Sequence, residues 1–438
     1  MPTSNVQSVY GGAAPVGGGG GLTGFTGSVS TTAPNDTIHA AVLAATSASN
    51  DVDFVIGTKS QGAIVAGLAP NGLASGGDKR GTYAVDLQTL RSGNGQVATG
   101  SRSVICGGQS NQNNGQHSVI VGGFTNTIIN ASQGFIGGGQ TNQIVQGTNG
   151  TIGGGDSNLI MVTGSHQTIA GGRGNQARDG YVAIGGGYSN TCYASYGTIA
   201  GGFANQASQM HSTVVSGNGC TAGSTYSTVL NGTGNNINGA YSTAINGSYH
   251  INQGAPYSTI VNGFDNLVTP DGDHSIVCGV TGYADRRGLF VHSGRQMNIR
   301  GDNQFERMVL NKRTDNNITT EATYDSANTG VSIITRYGLR NRSAAFITVK
   351  VIARQQSNIP GEQGAWELKC LLINGTGTAS IVGTVAKTVI AKTANATSWD
   401  VNLDVDGNNC LKVMVTGPTG NVVYWTAVVD SVVVNSQT

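Results

Sequence analysis

Paired carboxylates, histidines in register and exposed aromatic rings are the groups in this chain whose type and spacing could do chemistry. Cleaving a glycosidic bond takes two carboxyl groups at a defined separation, one of them held protonated. Between residues 103 and 282 the only acids are Asp156, Asp179, Asp265, Asp271 and Asp273. No two of them fall at the same place in adjacent repeats of the pattern described below, and the Pro270-Asp271-Gly272-Asp273 stretch reads as a turn. Glu362 with Glu367 and Asp404 with Asp406 are the other close pairs, placed by alternation on strand faces and in loops. The expectation is a chain that is not an enzyme.

Metal and ligand sites read in the same way. Asp404, Asp406 and Asn408 open with the rhythm of a calcium loop, but the twelfth position is Val415 where a bidentate Glu is required, so a hairpin turn is expected. No metal and no cofactor is implied. Arg286, Arg287, Arg295, Arg300 and His292 crowd into one short segment. They form either an anion site for acidic polysaccharide or lipid phosphate, or a collar paired with Asp285, Asp302 and Glu306; the collar is the simpler reading. Trp366 and Trp399 lie on the apolar phase of alternating strands and belong to a core. Tyr424 and Trp425 occupy opposite faces, so one is exposed, and with Arg286 and Arg287 they are the candidate glycan contacts. The tyrosines at 188, 193, 196, 226, 241, 249 and 257 are further surface candidates, and His117, His166 and His211 read as exposed turn residues.

What must position these groups is a repeat. Apolar anchors at Ile105, Ile120, Ile136, Ile152, Ile169, Ile184, Ile199, Val214, Val229, Ala244, Ile260 and Ile276 recur every 15–17 residues. Three residues after each anchor stands a glycine, as at Gly108, Gly123 and Gly202. Six residues after it stands an asparagine, as at Asn111, Asn126 and Asn205, with Cys220, His250 and Gly282 as exceptions. Glycine and asparagine tolerate left-handed backbone, so the chain reverses at the same place in every unit. Stacked units give parallel strands, an isoleucine stripe inside and an asparagine ladder at the bend. A parallel β-solenoid of about 12 rungs follows, with two short strands and two turns per rung.

Composition agrees. Glycine supplies 69 of 438 residues, while charged residues make up 10% and the net charge is +1. Such a chain is neither collagen, which needs glycine at every third position, nor a highly charged disordered polymer, and it has no electrostatic case for binding nucleic acid. No run of 18 apolar residues predicts a membrane helix. The first ten residues lack a signal-peptide pattern. The six cysteines are dilute and read as free thiols. Residues 103–282 hold no Lys and no Glu. A rung this thin orders about 15 residues at roughly 1–2 kcal/mol each while burying only three or four side chains, so a homotrimer of packed rods is expected.

The repeat lines "HSVIVGGFTN", "YGTIAGGFANQAS" and "YSTIVNGFDN" resemble the head repeats of trimeric autotransporter adhesins, a left-handed parallel β-roll, and related repeats of bacteriophage tail proteins. The segments "GGDKRGTYAVDLQTLRSGNGQVATGSRSV" and "SGR…GDNQ" and the alternating stretches "AAFITVKVIAR", "AWELKCLLI" and "VVYWTAVV" resemble phage tail fibres and their C-terminal sandwiches. The adhesins differ in their mostly 14-residue unit and in carrying a secretion signal and membrane anchor. The expected organisation is a flexible Gly-rich arm at 1–50 with a possible helical stretch over Ile38–Ala45, a β-rich lead-in at 51–102, the solenoid shaft at 103–282, an Arg-rich collar at 283–306 and an antiparallel β-sandwich or jelly roll at 307–438. The resemblance implies a phage fibre or spike subunit on the virion surface, assembled in the host cytoplasm. Its arm would meet tail or capsid proteins and its tip a host-surface glycan, with no nucleic acid and no membrane insertion. A depolymerising tailspike, a capsid-mounted head fibre and a bacterial surface adhesin are the alternatives.

Overall fold

The computed structural model describes residues 25–30, 40–45, 58 and 60–435, apart from 162–163, 295–299, 325–335 and 357–360. It divides into two units, Met1–Ser60 and Gln61–Thr438. In the first, Phe25–Ser30 pairs antiparallel with Ala40–Ala45. A strand therefore replaces the helical turn expected over Ile38–Ala45: six residues are too few to hold a helix alone, whereas a partner strand satisfies the backbone. The rest of the Gly-rich arm, and Arg295, fall outside the described residues.

The second unit opens with the expected solenoid. Each coil contributes one short strand to each of two facing parallel sheets, as Thr198–Ile199 and Gln206–Ala207 do. In the first sheet Ile184, Ile199 and Val214 lie in register on successive coils. That column starts upstream at Ile64–Val65, passes through Val85–Asp86 and Val104–Ile105, and ends at Phe290–Ser293. The second sheet has 12 strands, from Gln112–Asn113 to Tyr283–Ala284. The anchors Ile105, Ile120 and Ile199 are 0% exposed, and so are Ile128, Ile144 and Ala207 on the facing stripe eight residues after an anchor. The core is thus two stacked rows of aliphatic side chains pressed together. In the last repeat the buried anchor is Val277 rather than Ile276, because the loop at 269–273 lengthens the coil and Ile260 pairs with Val277.

The repeat glycine is required twice over. Gly123 has φ +93°, and a Cβ there would stand 2.1 Å from the carbonyl oxygen of Gly139 on the next coil. The asparagines do a different job from the one their bend position suggests. They are fully buried and lie outside the left-handed residues, which include Thr125 and Ser157 just before them. Asn205 Nδ2 donates to the carbonyls of Gly201 and Gly217 at 3.0 Å each, and its Oδ1 accepts the N–H of Cys220 at 3.0 Å. The column rivets each coil to the next, adding a side-chain bond to a glycine carbonyl of the following coil and accepting a backbone N–H there. Gln88 begins it, accepting the Asn111 N–H at 2.9 Å, and Gln304 serves the far end, accepting the N–H of Tyr283 at 3.0 Å.

The last solenoid strand, β1 (Phe290–Ser293), pairs antiparallel with β2 (Asn303–Thr314), so the rod runs into the tip by continuous hydrogen bonding. After β3 (Thr320–Ala322) and β4 (Tyr337–Gly338) come the long strands β5 (Ser343–Gln355), β6 (Gln363–Asn374) and β7 (Ala379–Lys392). They are followed by β8 (Asp400–Val405), β9 (Cys410–Thr416) and β10 (Val423–Asn435). One sheet has the order β2-β10-β5-β6-β7, all antiparallel. The other joins β3, β4 and β8 to β9. Their inner faces meet around Trp366, Trp399 and Trp425, the last two with ring centres 5.9 Å apart. This is the expected all-β architecture, a parallel solenoid followed by an antiparallel sandwich.

Candidate functional site

Strict coil spacing carries identical positions into columns on the rod surface, and one column is aromatic. Three residues before each anchor the backbone is left-handed, as at Tyr181, Tyr196, His211 and Tyr226. From His166 through Tyr181, Tyr196, His211, Tyr226, Tyr241 and Tyr257 the rings stack at 4.7–5.2 Å between centres. His274 tilts onto Tyr257 at 5.0 Å. Two of the three histidines read as simple turn residues are thus members of one stack with the tyrosines. Because the ring faces cover one another, the column presents only edges and hydroxyls, and sugar faces cannot stack on it. The two arginines of the 103–282 stretch lie over neighbouring rings, Arg173 over Tyr188 and Arg178 over Tyr193.

Most acidic candidates are neutralised locally. Asp156 accepts from Thr141 and Ser157, whose hydroxyls hold its carboxyl below the usual range. Asp179 accepts the N–H of Gly180, Asp265 meets Arg300, and Asp273 takes both Arg287 and His274. Glu362 is held low by Thr393 and Asn395, Glu367 pairs with Lys369, and Asp404 pairs with Lys412. Trp425 is no glycan contact: it is 1% exposed, its indole N–H donates to Thr314 at 2.9 Å, and it packs on Trp366. Tyr424 is the exposed member of the pair and meets Gln356. Among the described residues no cluster of His, Cys, Asp and Glu could hold a metal ion, and the Asp404–Asn408 segment is the hairpin between β8 and β9.

Where the last coil meets the sandwich, a cleft of about 430 Å³ opens between Asp271, Tyr283, Asp285 and Arg286 on one side and Arg340, Asn341, Asn408 and Asn409 on the other. Arg340 ties its floor together. It donates to Asp285 at 3.0 Å, to Glu306 at 3.1 Å and to the Tyr283 carbonyl at 2.9 Å, and it lies 4.5 Å above the Tyr283 ring. Burial works against ionisation at Asp285, but Arg286 and Arg340 outweigh it and hold the carboxyl below its usual range. The expected collar exists here in part: Arg286 pairs with Asp285, while Glu306 is taken by Arg340, which the sequence reading had not singled out.

The turn that brings Asn408 and Asn409 to the cleft also holds Asp406, whose Oδ1 accepts the N–H groups of Asn408 and Cys410. Arg336 bridges Asp406 to Glu321, donating to Glu321 Oε2 at 2.7 Å. Glu321 differs from the other shifted carboxyls. Burial pushes it up despite the pull of Arg336, and its Oε1 is buried without a hydrogen-bond partner. A carboxyl whose pKa burial raises thus sits across one guanidinium from a second carboxylate. Glu321 and Arg336 carry no sequence signal, because 85 residues separate Glu321 from Asp406 and only the fold joins them.

No protein-family model matches the chain, and no curated protein does. Among solved structures it is similar to the tailspike protein gp49 of Acinetobacter baumannii bacteriophage Fri1, a capsular polysaccharide depolymerase, at 9% identity and a TM-score of 0.23, over 93% of this chain and 74% of that one. It is also similar to the tailspike of Acinetobacter phage vB_ApiP_P1, at 9% identity and a TM-score of 0.19, over 85% and 82%. A third is the tailspike of Acinetobacter baumannii phage AM24, at 9% identity and a TM-score of 0.21, over 84% and 78%. The expectation of a chain that is not an enzyme is corrected here, since a polysaccharide-cleaving protein stands among these structures.

Proposed function

We propose that the chain is a tailspike-type subunit of a bacteriophage particle that binds and cleaves a host-surface polysaccharide at the junction of solenoid and sandwich. Glu321 carries the reading: a carboxyl whose pKa burial raises even beside Arg336, with one oxygen buried and unpartnered and with Asp406 bound to the same arginine. In this reading Glu321 protonates the leaving glycosidic oxygen while Asp406, as general base, takes a proton from the water that attacks the anomeric carbon, so the bond to the leaving sugar is replaced by one to hydroxyl. The cleft's amides and Arg286 hold the sugar hydroxyls, and the N-terminal segment joins the particle. The repeat and sandwich segments that resemble phage tail proteins support the setting.

The test incubates the protein with purified capsular polysaccharides and follows new reducing ends, with binding measured in parallel. Glu321→Gln is expected to lower the cleavage rate by about 10²-fold or more while binding persists. Because Glu321 acts as an acid, the wild-type rate should fall as pH rises through its raised pKa. A polysaccharide that is bound at the cleft yet never cut would leave a receptor-binding protein without catalysis.

A further inference from the structure

The start of the rod holds two buried arginines and one acid to meet them. Arg80 and Arg91 are 4% and 8% exposed, and both reach Asp86, which is 0% exposed. Arg80 Nε donates to Asp86 Oδ2 at 2.8 Å, and Arg91 Nη2 donates to the same oxygen at 3.4 Å. Asp86 Oδ1 accepts the N–H of Gln88 at 3.3 Å. No other acid among the described residues pairs with either arginine. A guanidinium stays protonated inside a protein, so two positive charges face one negative charge where water is largely shut out. The neighbouring carbonyls take only some of the donors. Arg80 Nη1 donates to the carbonyls of Gly76 and Asp78, and Arg91 Nη2 to that of Gln88, yet Arg80 Nη2 and Arg91 Nε and Nη1 are buried with no hydrogen-bond partner. Nε and Nη2 share one edge of a guanidinium, so each edge that Asp86 meets through one donor keeps a second donor unused.

We propose that Arg80 and Arg91 hold a small monovalent anion, a chloride ion, beside Asp86. One uncompensated unit of buried charge calls for one negative unit, and the unused N–H groups are the donors that a halide accepts. Room around the pair is short. A Cβ on Gly77 would stand 3.3 Å from Arg80 Nη1 and 2.4 Å from the Val97 side chain, which suits a bare ion better than a phosphate or a sugar acid. Asp86 lies in the first ladder of the rod, in register with Val65 and Ile105, while Arg80 and Arg91 come from the loops on either side of its strand, Val85–Asp86. The ion therefore clamps both loops onto the coil where the rod begins. Gln88, which opens the asparagine column, stands between them. The site lies at the other end of the rod from the cleft and is independent of the cleavage chemistry proposed above.

The probe is chloride itself. Full-length protein is dialysed into sodium gluconate, returned to sodium chloride at equal ionic strength, and followed by hydrogen exchange in both salts. Backbone amides of residues 76–96 should exchange about tenfold more slowly in chloride, while those of the tip sandwich keep one rate. Arg91→Met removes one positive charge and leaves Arg80 matched to Asp86. That variant should keep the circular dichroism of the fold and exchange alike in the two salts. Crystals grown in bromide should show anomalous density beside both guanidinium groups. Wild-type amides at 76–96 that exchange alike in chloride and gluconate would overturn the proposal. So would an Arg91→Met protein that still answers to chloride, or bromide crystals in which water or a carboxylate of another chain occupies the place.

Discussion

His250 stands where most repeats carry asparagine, and it mimics that residue with a ring. Its backbone N–H donates to Oδ1 of Asn235, and its Nδ1 takes the N–H of Asn266 at 3.4 Å, the acceptor role of an asparagine oxygen. Nε2 is buried without a partner, and burial lowers the pKa from 6.5 to about 4. The unfolded chain therefore binds a proton below about pH 6.5 that the folded chain refuses until about pH 4. Stability from this group is whole above the higher value and fades as pH falls between the two, by up to about 3 kcal/mol. His250→Asn should flatten that slope and raise stability at pH 5, as urea unfolding at pH 5 and pH 8 would register.

At the scale of the element, the asparagine column is what converts a glycine-rich string into a stack. Asn205→Ala would leave the Gly201 carbonyl and the buried Cys220 N–H without the side chain that meets them and would remove one of the two hydrogen bonds to the Gly217 carbonyl. A loss of about 3 kcal/mol is expected, to be measured by chemical denaturation, whereas changing the exposed Asn262 should matter little. The column was legible in the sequence as a spacing, because a 15–17-residue period written a dozen times leaves a clear trace. Its place was not: asparagine signals a bend by propensity, and only the register of neighbouring coils shows the side chain turned inward to backbone groups. The second apolar stripe was obscured for a similar reason, since Ile128 and Ile144 give way to Ala177, Cys192 and Ala207, small residues that carry little periodic signal. The ring stack leaves little trace in the sequence because histidine and tyrosine, two different residue types, alternate at one position of the coil.

For the whole molecule, the join between rod and tip is the least forgiving place. Arg340 is the common partner of Asp285 and Glu306, so Arg340→Met would leave two acids facing one another with one counter-charge lost. A destabilisation of about 3–5 kcal/mol is expected, visible as a lower thermal midpoint. Its restoration at acid pH, where the carboxyls are neutralised, would separate a charge defect from a packing defect. This join could not be read from the chain, because it unites Tyr283, Asp285, Gly301 and Glu306 with Arg340 across strands whose pairing order no local pattern reveals. The two architectures themselves were plain from the change of period, from a repeat of 15–17 residues to simple alternation.

The parallel ladder that builds the rod has a mechanical corollary. Its inter-coil hydrogen bonds run along the long axis, so a pull on the two ends opens them one coil after another, like a zip. A push meets rows of isoleucine already in contact, and the rod resists it as a column. Under the proposed function, a particle that drives this chain against a surface loads it in its strong direction, and one that drags it away loads it in its weak one.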